Sequence, residues 1–158
     1  MTELVLPKID KTIINKKEYI FKKLAKLINP ENVLSHADEI KPYETDALAA
    51  YKQTPLAVVM PENTEEVSSI LKFCSDENIK VVPRGAGTGL SGGALPLQDA
   101  ILLSLGKFNK ILEIDFENKC VVTQPGVTNL GITDAVQHRD FYYAPDPSSQ
   151  LACSIGGN

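Results

Sequence analysis

The sequence has no hydrophobic run long enough to cross a membrane. A transmembrane helix needs roughly 18 or more consecutive apolar residues, and the apolar runs of this 158-residue chain are all much shorter. Residues 1–17 also lack the continuous apolar segment and small-residue cleavage site of a secretory signal peptide. These absences predict a cytoplasmic protein without a membrane span.

An excess of positive charge is missing as well. The formal net charge is −4, and the lysines are scattered along the chain rather than clustered. Proteins that bind nucleic acid non-specifically need patches of Lys and Arg that neutralise phosphates. Nucleic acid is therefore not expected among the partners.

The spacings of metal ligands and of a disulfide framework are absent too. Cys74, Cys120 and Cys153 are an odd set without close spacing, and His36 and His138 each stand alone. This pattern predicts reduced thiols and no metal site. Two of the cysteines, Cys74 and Cys120, lie within apolar patterns and are expected to be small buried residues. Cys153 differs because its segment is rich in Gly and Ser.

The composition does supply enough apolar material for one folded domain, since 43% of the residues are hydrophobic and 23% are charged. Periodicity predicts an amphipathic helix over residues 16–28, followed later by strands over residues 56–60 and 79–82 with a helix between them. Asn63 is expected to cap that helix, with Glu66 as its capping-box partner. Its predicted buried face consists of Val67, Ile70, Leu71 and Cys74. A strand, helix and strand of these lengths form a βαβ unit with parallel strands.

Further strands are predicted in the second half of the chain. They cover residues 100–105, 110–115 and 119–124, with a tight hairpin connection at residues 116–118. A helix over residues 128–139 should bury Leu130, Ala135 and Val136. In contrast, residues 31–54 are expected to be an irregular connection with one short helical turn near residues 47–51.

The glycine loop, residues 85–93, carries the strongest functional signal. Five of the ten glycines fall within these nine residues, directly after a predicted strand: Gly85, Gly87, Gly89, Gly92 and Gly93. Glycine permits positive φ and close backbone approach, so consecutive N–H groups can converge on an anion. Such a loop favours a ligand-binding role over a merely structural turn, and phosphate is its natural ligand.

Two common phosphate motifs do not fit this loop. Residues 87–92 match the GxGxxG string, but residues 94–99 and then a strand follow it, whereas a Rossmann site needs a helix there. The Walker A motif is excluded because no lysine occurs between Lys80 and Lys107. A phosphate site built from loop amides remains. In it, Thr88 and Ser91 would donate hydroxyl hydrogen bonds, and Arg84 would either add charge or be a solvated surface residue.

A second segment, residues 144–158, closes the chain. Prolines flank Asp146 and fix an extended path, and Gly156 and Gly157 again allow close backbone contact with a ligand. Taken alone, this segment is as consistent with a structural turn as with a site. A natural domain is not expected to end on Gly-Gly-Asn without a helix or strand to anchor it. We therefore expect the chain to be truncated.

Together, residues 82–94 and residues 145–158 resemble the vanillyl-alcohol-oxidase-type (PCMH-type) FAD-binding family, in particular its bacterial glycolate oxidase large subunits and FAD-linked D-lactate dehydrogenases. The resemblance runs from about Tyr43 to the last residue. It implies an α+β fold of two α/β subdomains, one with a small parallel sheet and one with a mostly antiparallel sheet, with FAD between them. It also implies a division into an N-terminal helical segment (residues 1–42) and an incomplete FAD-binding domain (residues 43–158). The cofactor-binding residues implied are Pro83, Arg84, Gly85, Ala86, Gly87, Thr88, Gly89, Leu90, Ser91, Gly92, Pro145, Asp146, Ser149, Cys153, Ser154, Gly156, Gly157 and Asn158.

The same resemblance implies the chemistry. Relatives that bond FAD covalently through this loop have a histidine where this chain has Thr88, so the FAD is expected to be non-covalent. The implied reaction is hydride transfer from C2 of a D-2-hydroxy acid, of the glycolate or D-lactate type, to flavin N5. The catalytic base, the substrate-binding residues and contacts to other oxidase subunits are expected beyond residue 158, so no catalytic residue is assigned. The alternatives are a non-redox nucleotide- or phosphate-binding module and an inactive fragment.

Overall fold

A computed structural model describes residues 6–157 of the chain. The helices are α1 (Lys11–Asn15), α2 (Lys17–Leu27), α3 (Ala37–Ile40), α4 (Thr64–Asp76) and α5 (Asn129–Val136). The strands are β1 (Val33–Leu34), β2 (Ala57–Val59), β3 (Lys80–Arg84), β4 (Ala100–Ser104), β5 (Ile111–Asp115) and β6 (Cys120–Thr123). Short 3-10 turns cover Pro30–Asn32, Lys41–Tyr43, Gln137–Arg139 and Ile155–Gly157. Within residues 6–157, no helix is long and apolar enough to cross a membrane.

The larger sheet has the strand order β1-β2-β4-β3. Strands β2 and β3 both run parallel to β4, so the predicted parallel βαβ unit is confirmed, although β4 lies between its two strands. All five residues of β4 are buried. Its sequence, Ala-Ile-Leu-Leu-Ser, is nearly continuous in apolar residues, as expected for a parallel strand that is covered on both faces.

Helices α2 and α4 cover one face of this sheet. Ile20 and Leu24 of α2 pack with Ile70 and Cys74 of α4 in the main apolar cluster. The predicted buried face of α4 is wrong at Leu71, which is 45% exposed. Successive helical residues differ by about 100° in direction, and a face centred on Ile70 and Cys74 leaves Leu71 at its solvent edge.

The start of α4 follows the predicted cap closely. The side chain of Asn63 accepts a hydrogen bond from the Glu66 N–H at 2.8 Å. The Glu66 carboxylate returns to accept from the Glu62 N–H, also at 2.8 Å, one residue before the position that a capping box uses. The first bond satisfies a donor of the first turn, and the second fixes the residue just before the cap.

Residues 31–54 contain more regular structure than their sequence suggests. Strand β1 pairs antiparallel with β2, and α3 follows directly. One short helical turn is expected near residues 47–51. The structure has no helix there but a hydrogen-bonded turn, in which the Tyr51 N–H donates to the Leu48 carbonyl. The stretch that follows α3 returns on itself through a hydrogen bond from the Gln53 N–H to the Glu44 carbonyl.

The second sheet is the antiparallel hairpin of β5 and β6. Its tight connection is confirmed: the Asn118 N–H donates to the Asp115 carboxylate at 2.9 Å. Cys120 at the start of β6 is exposed, so the prediction that it is buried is wrong: burial alternates along β6, and Cys120 lies with Val122 on the exposed side. Helix α5 buries Val136 as expected. Leu130 and Ala135 are only half-buried, and Asn129 and Ile132 occupy the inner face instead.

We predict that the cysteines differ sharply in reactivity. Burial raises the pKa of the Cys74 thiol to about 11, and the thiolate is the species that reacts with iodoacetamide. Brief alkylation of the native protein at about pH 8 should therefore label Cys120 and spare Cys74, as measured by peptide mass spectrometry. Alkylation in denaturant is the control and should label both. Equal labelling of the two in the native protein would contradict this packing.

Candidate functional site

An open cleft of about 450 Å³ lies at the carboxyl ends of β3 and β4. The carboxyl edge of parallel strands is the usual place for a ligand in α/β sheets. Three separate parts of the chain meet there. They are the glycine loop with the two residues before it, the connections at Leu105 and Pro125, and the second segment at Ser154, Gly156 and Gly157.

The glycine loop leaves β3 in a conformation that needs glycine. Gly87 has φ +73°, in the left-handed region that side chains rarely adopt. A Cβ built there would lie 2.5 Å from Cζ of Arg84, far inside normal contact distance. A side chain at this position would therefore strain the backbone and force the Arg84 guanidinium to shift.

A backing segment, residues 43–48, supports the loop from behind. The Ala47 N–H donates to the Gly87 carbonyl at 2.9 Å. Arg84 donates from Nη1 to the Thr45 carbonyl at 2.6 Å, and its guanidinium lies 5.6 Å from the ring centre of Tyr43. Arg84 is thus neither a free surface residue nor a group wholly available to a ligand, because one side of its fork is already bound.

The electrostatics of Arg84 reflect this partly buried position. Burial lowers the pKa of its guanidinium below the ordinary value, and the negative charge of Asp46 acts in the opposite direction. An arginine remains charged under these conditions. Its positive charge therefore lies beneath the loop and close to the cleft.

The second segment reaches the cleft through backbone hydrogen bonds. The Gly156 N–H donates to the Pro125 carbonyl and the Ile155 N–H to the Val127 carbonyl, at 2.9 and 2.8 Å. A Cβ on Gly156 would lie 3.0 Å from the Pro125 oxygen and closer still to the Pro125 ring. Glycine at position 156 therefore allows the second segment to lie directly against Pro125, which follows β6.

The structure brings together most, but not all, of the residues predicted from the sequence. Those that line the cleft are Pro83, Arg84, Gly85, Ala86, Gly87, Thr88, Gly89, Ser91, Ser154, Gly156 and Gly157. Those that lie outside its lining are Leu90, Gly92, Pro145, Asp146, Ser149 and Cys153. Leu90 is 73% exposed, whereas the side chain of Cys153 is buried. Asn158 lies outside the described residues.

Sequence reasoning missed four lining residues and the backing segment. Gly93 ends the glycine loop and Ala94 follows it, while Leu105 and Pro125 lie just after strands β4 and β6. Leu105 is placed by its N–H, which donates to the Arg84 carbonyl at 2.9 Å. Gly93 and Ala94 did carry a signal, since Gly93 belongs to the glycine cluster and both lie within residues 82–94. The contacts of Leu105 and of residues 43–48 are long-range and leave no periodic pattern.

The cleft is built for binding an anion rather than for moving a proton. Among its described lining residues, Arg84 is the sole ionisable side chain, and hydroxyls come from Thr88, Ser91 and Ser154. Within residues 6–157, no group of three or more His, Cys, Asp or Glu could hold a metal ion. Main-chain N–H groups, hydroxyls and one positive charge together are suited to phosphate oxygens.

Comparison with known proteins agrees with this chemistry. Residues 55–158 match the model of a family described as FAD binding domain. The chain belongs to this family. The match includes the glycine loop, both parallel strands that lead to the cleft and the second segment.

Individual relatives support the assignment. The chain is 53% identical to the glycolate oxidase subunit GlcD of Escherichia coli (strain K12), over 80% of this chain and 25% of that protein. It is 35% identical to a D-lactate dehydrogenase of Anaerostipes hadrus, over 100% of this chain and 32% of that protein. The chain thus spans a quarter to a third of the length of these relatives.

A solved structure extends the likeness to the fold. A substrate-bound p-cresol methylhydroxylase superposes with a TM-score of 0.70 at 28% identity, over 87% of this chain and 27% of that one. The predicted family and its α+β fold are therefore confirmed; the first sheet is parallel except for the edge strand β1, and the second is antiparallel.

We predict that an alanine destabilises the protein at position 87 but not at position 89. Gly87→Ala should destabilise the protein by about 1–3 kcal/mol, the usual cost of forcing a side chain into an unfavourable backbone region. Gly89→Ala should be neutral within about 0.5 kcal/mol, because a Cβ there meets nothing within 4 Å. Urea unfolding of both variants measures the contrast. Equal destabilisation would show that the loop does not have this conformation.

Proposed function

We propose that the cleft holds the pyrophosphate of FAD, and that the protein containing this chain is a flavoprotein oxidoreductase that converts a D-2-hydroxy acid to a 2-oxo acid. The observation that carries the proposal is the glycine loop, placed at the carboxyl ends of β3 and β4 and facing the second segment across the cleft. The identity to a glycolate oxidase subunit and to a D-lactate dehydrogenase supports the substrate class.

The binding role of the loop follows from its peptide geometry. The carbonyl and N–H of one trans peptide point in opposite directions. Because the Gly87 carbonyl is bonded to Ala47 of the backing segment, the N–H of Thr88 points away from that segment. Thr88 also lines the cleft. We propose that this N–H and its neighbours bind phosphate oxygens, with Arg84 supplying charge from beneath.

The other site residues divide by position. Ser154, Gly156 and Gly157 would contact the cofactor from the opposite wall of the cleft. Pro145 and Asp146 are exposed, and we propose that they, with Leu90, Ser149 and Asn158, contact parts of FAD that extend beyond the cleft. Cys153 would act through its backbone, because its side chain is 2% exposed.

FAD, when bound, would supply the redox chemistry by accepting a hydride from C2 of the hydroxy acid. The residues of this chain would bind and orient it. No catalytic acid or base is proposed among residues 6–157, since the lining of the cleft offers none. The proposed substrate is of the glycolate or D-lactate type, and further oxidase subunits are proposed partners. A cytoplasmic location stays a prediction.

We also propose a division of the chain. Residues 43–158 would form the FAD-binding part, and residues 1–42 a mainly helical segment packed on it. In support, Ile20 and Leu24 lie in the same apolar cluster as Ile101 of β4.

The first prediction from this function concerns the attachment of the flavin. Thr88 cannot form the flavin bond that a histidine could, so the FAD should be non-covalent. The longest reading frame that contains this chain should purify yellow, and acid precipitation should release FAD into the supernatant, as identified by chromatography. Colour retained in the washed pellet would contradict non-covalent binding. A colourless preparation that binds ADP would favour the non-redox alternative.

The second prediction separates the loop from the core. In the same protein, Gly87→Val should abolish FAD binding, because the side chain would collide with Arg84 and displace the loop amides. Cys74→Ala should leave FAD affinity nearly intact and lower stability by about 1 kcal/mol, since Cys74 lies in the core away from the cleft. FAD titration followed by flavin fluorescence measures both. An equal loss of FAD affinity in the two variants would contradict the proposal that the glycine loop binds FAD.

A further inference from the structure

Asp46 is a buried carboxylate that the proposed function leaves unexplained. It is 5% exposed. Its Oδ1 accepts a hydrogen bond from the Leu48 N–H at 2.9 Å, but Oδ2 is enclosed and has no donor within residues 6–157. A buried charge is strongly unfavourable unless an opposite charge compensates it. A positive charge must therefore lie near Asp46.

Arg84 is the positive charge on which Asp46 acts, because the negative charge of Asp46 raises the pKa of the guanidinium against the effect of burial. The two do not form a direct ion pair, but the guanidinium donates to the carbonyl of Thr45, the residue directly before Asp46. On the other side, Ala47, directly after Asp46, holds the carbonyl of Gly87 at 2.9 Å. Asp46 thus lies between the two hydrogen bonds that join the backing segment to the glycine loop.

We propose that Asp46 is a positioning residue for the glycine loop: with Arg84, it fixes residues 45–47 so that the Gly87 carbonyl is bound behind the loop and the Thr88 N–H is presented to the cleft. The inference rests on the proposed FAD site and deepens it. Asp46 itself does not line the cleft, so its effect on a ligand must pass through Arg84 and the loop.

The substitution Asp46→Asn tests this cleanly. Asparagine keeps the shape and an oxygen for the Leu48 N–H, removes the negative charge, and places an amide NH2 where Oδ2 lies. Simple through-space electrostatics predicts tighter FAD binding, because a negative charge near a pyrophosphate is lost. Positioning predicts the opposite result, because Arg84 loses its compensating charge and releases the loop. The two explanations therefore differ in sign.

A second buried carboxylate provides the matched control. Asp99 is 2% exposed and lies at the start of β4, whereas the cleft is at the carboxyl end of that strand. It accepts from Lys80 Nζ and from the Asp10 N–H, both at 2.7 Å. Asp99→Asn should lower stability without changing the loop.

The experiment compares Asp46→Asn and Asp99→Asn in the longest reading frame that contains the chain. We expect the Kd for FAD to rise about tenfold in Asp46→Asn, equivalent to about 1.4 kcal/mol, and to change less than about twofold in Asp99→Asn. In an Arg84→Met background, Asp46→Asn should have no further effect, because coupled residues are not additive. An unchanged or lower Kd in Asp46→Asn, or an equal rise in Asp99→Asn, would overturn the proposal.

Amide hydrogen exchange without FAD makes the test independent of the proposed function. Peptides that cover residues 45–51 and 85–92 should exchange about tenfold faster in Asp46→Asn than in the parent, and at the parent rate in Asp99→Asn. Unchanged exchange in Asp46→Asn would overturn the positioning role even if FAD binds. Absence of FAD binding by the unaltered protein would instead refute the proposed function, while the exchange rates still decide the role of Asp46.

Discussion

The burial of β4 on both faces is the constraint on which the rest of the structure depends. A strand covered on both sides must pair on both edges, and here both partners run parallel to it. Parallel strands all end at the same edge of the sheet, so the chain leaves β3 and β4 side by side. The Leu105 N–H bonds to the Arg84 carbonyl at that edge. The cleft exists because two loops must begin where these strands stop.

The N-terminal part of the chain contributes to the same constraint. Helix α2 covers the sheet with Ile20 and Leu24, and β1 extends it at the edge of β2. Beyond the strands, Lys107 Nζ donates to Asn32 Oδ1 at 2.6 Å and to Glu62 Oε1 at 2.8 Å. The Lys107–Glu62 ion pair is exposed and stabilises little on its own, whereas Asn32 is buried. The effect of the two bonds is to connect the chain just after Leu105, a cleft residue, to the first part of the fold.

The sequence predicted correctly those elements whose structure depends on residues close to one another in the chain. The Asn63 cap and the parallel strands follow from hydrogen-bonding residues and apolar runs that are read within a few positions. Leu71 and Cys120 were predicted wrongly, because each lies in an apolar pattern whose partner surface is set by distant elements. The glycine cluster indicated a loop with unusual backbone angles, and Gly87 has one.

The segment that supports the glycine loop could not be predicted from the sequence. Its contacts explain why glycine is needed in the loop. The sequence left Arg84 as either a source of charge for the ligand or a solvated surface residue. In the structure, one of its donors is used by Thr45, and Asp46 offsets its charge. If the cleft binds a pyrophosphate as proposed, the attraction must then come largely from main-chain N–H groups. These act at short range and depend on direction, so they bind only if the backbone comes close to the ligand in a fixed conformation. A loop that binds in this way tolerates few side chains and requires a rigid segment behind it, and residues 43–48 supply that segment.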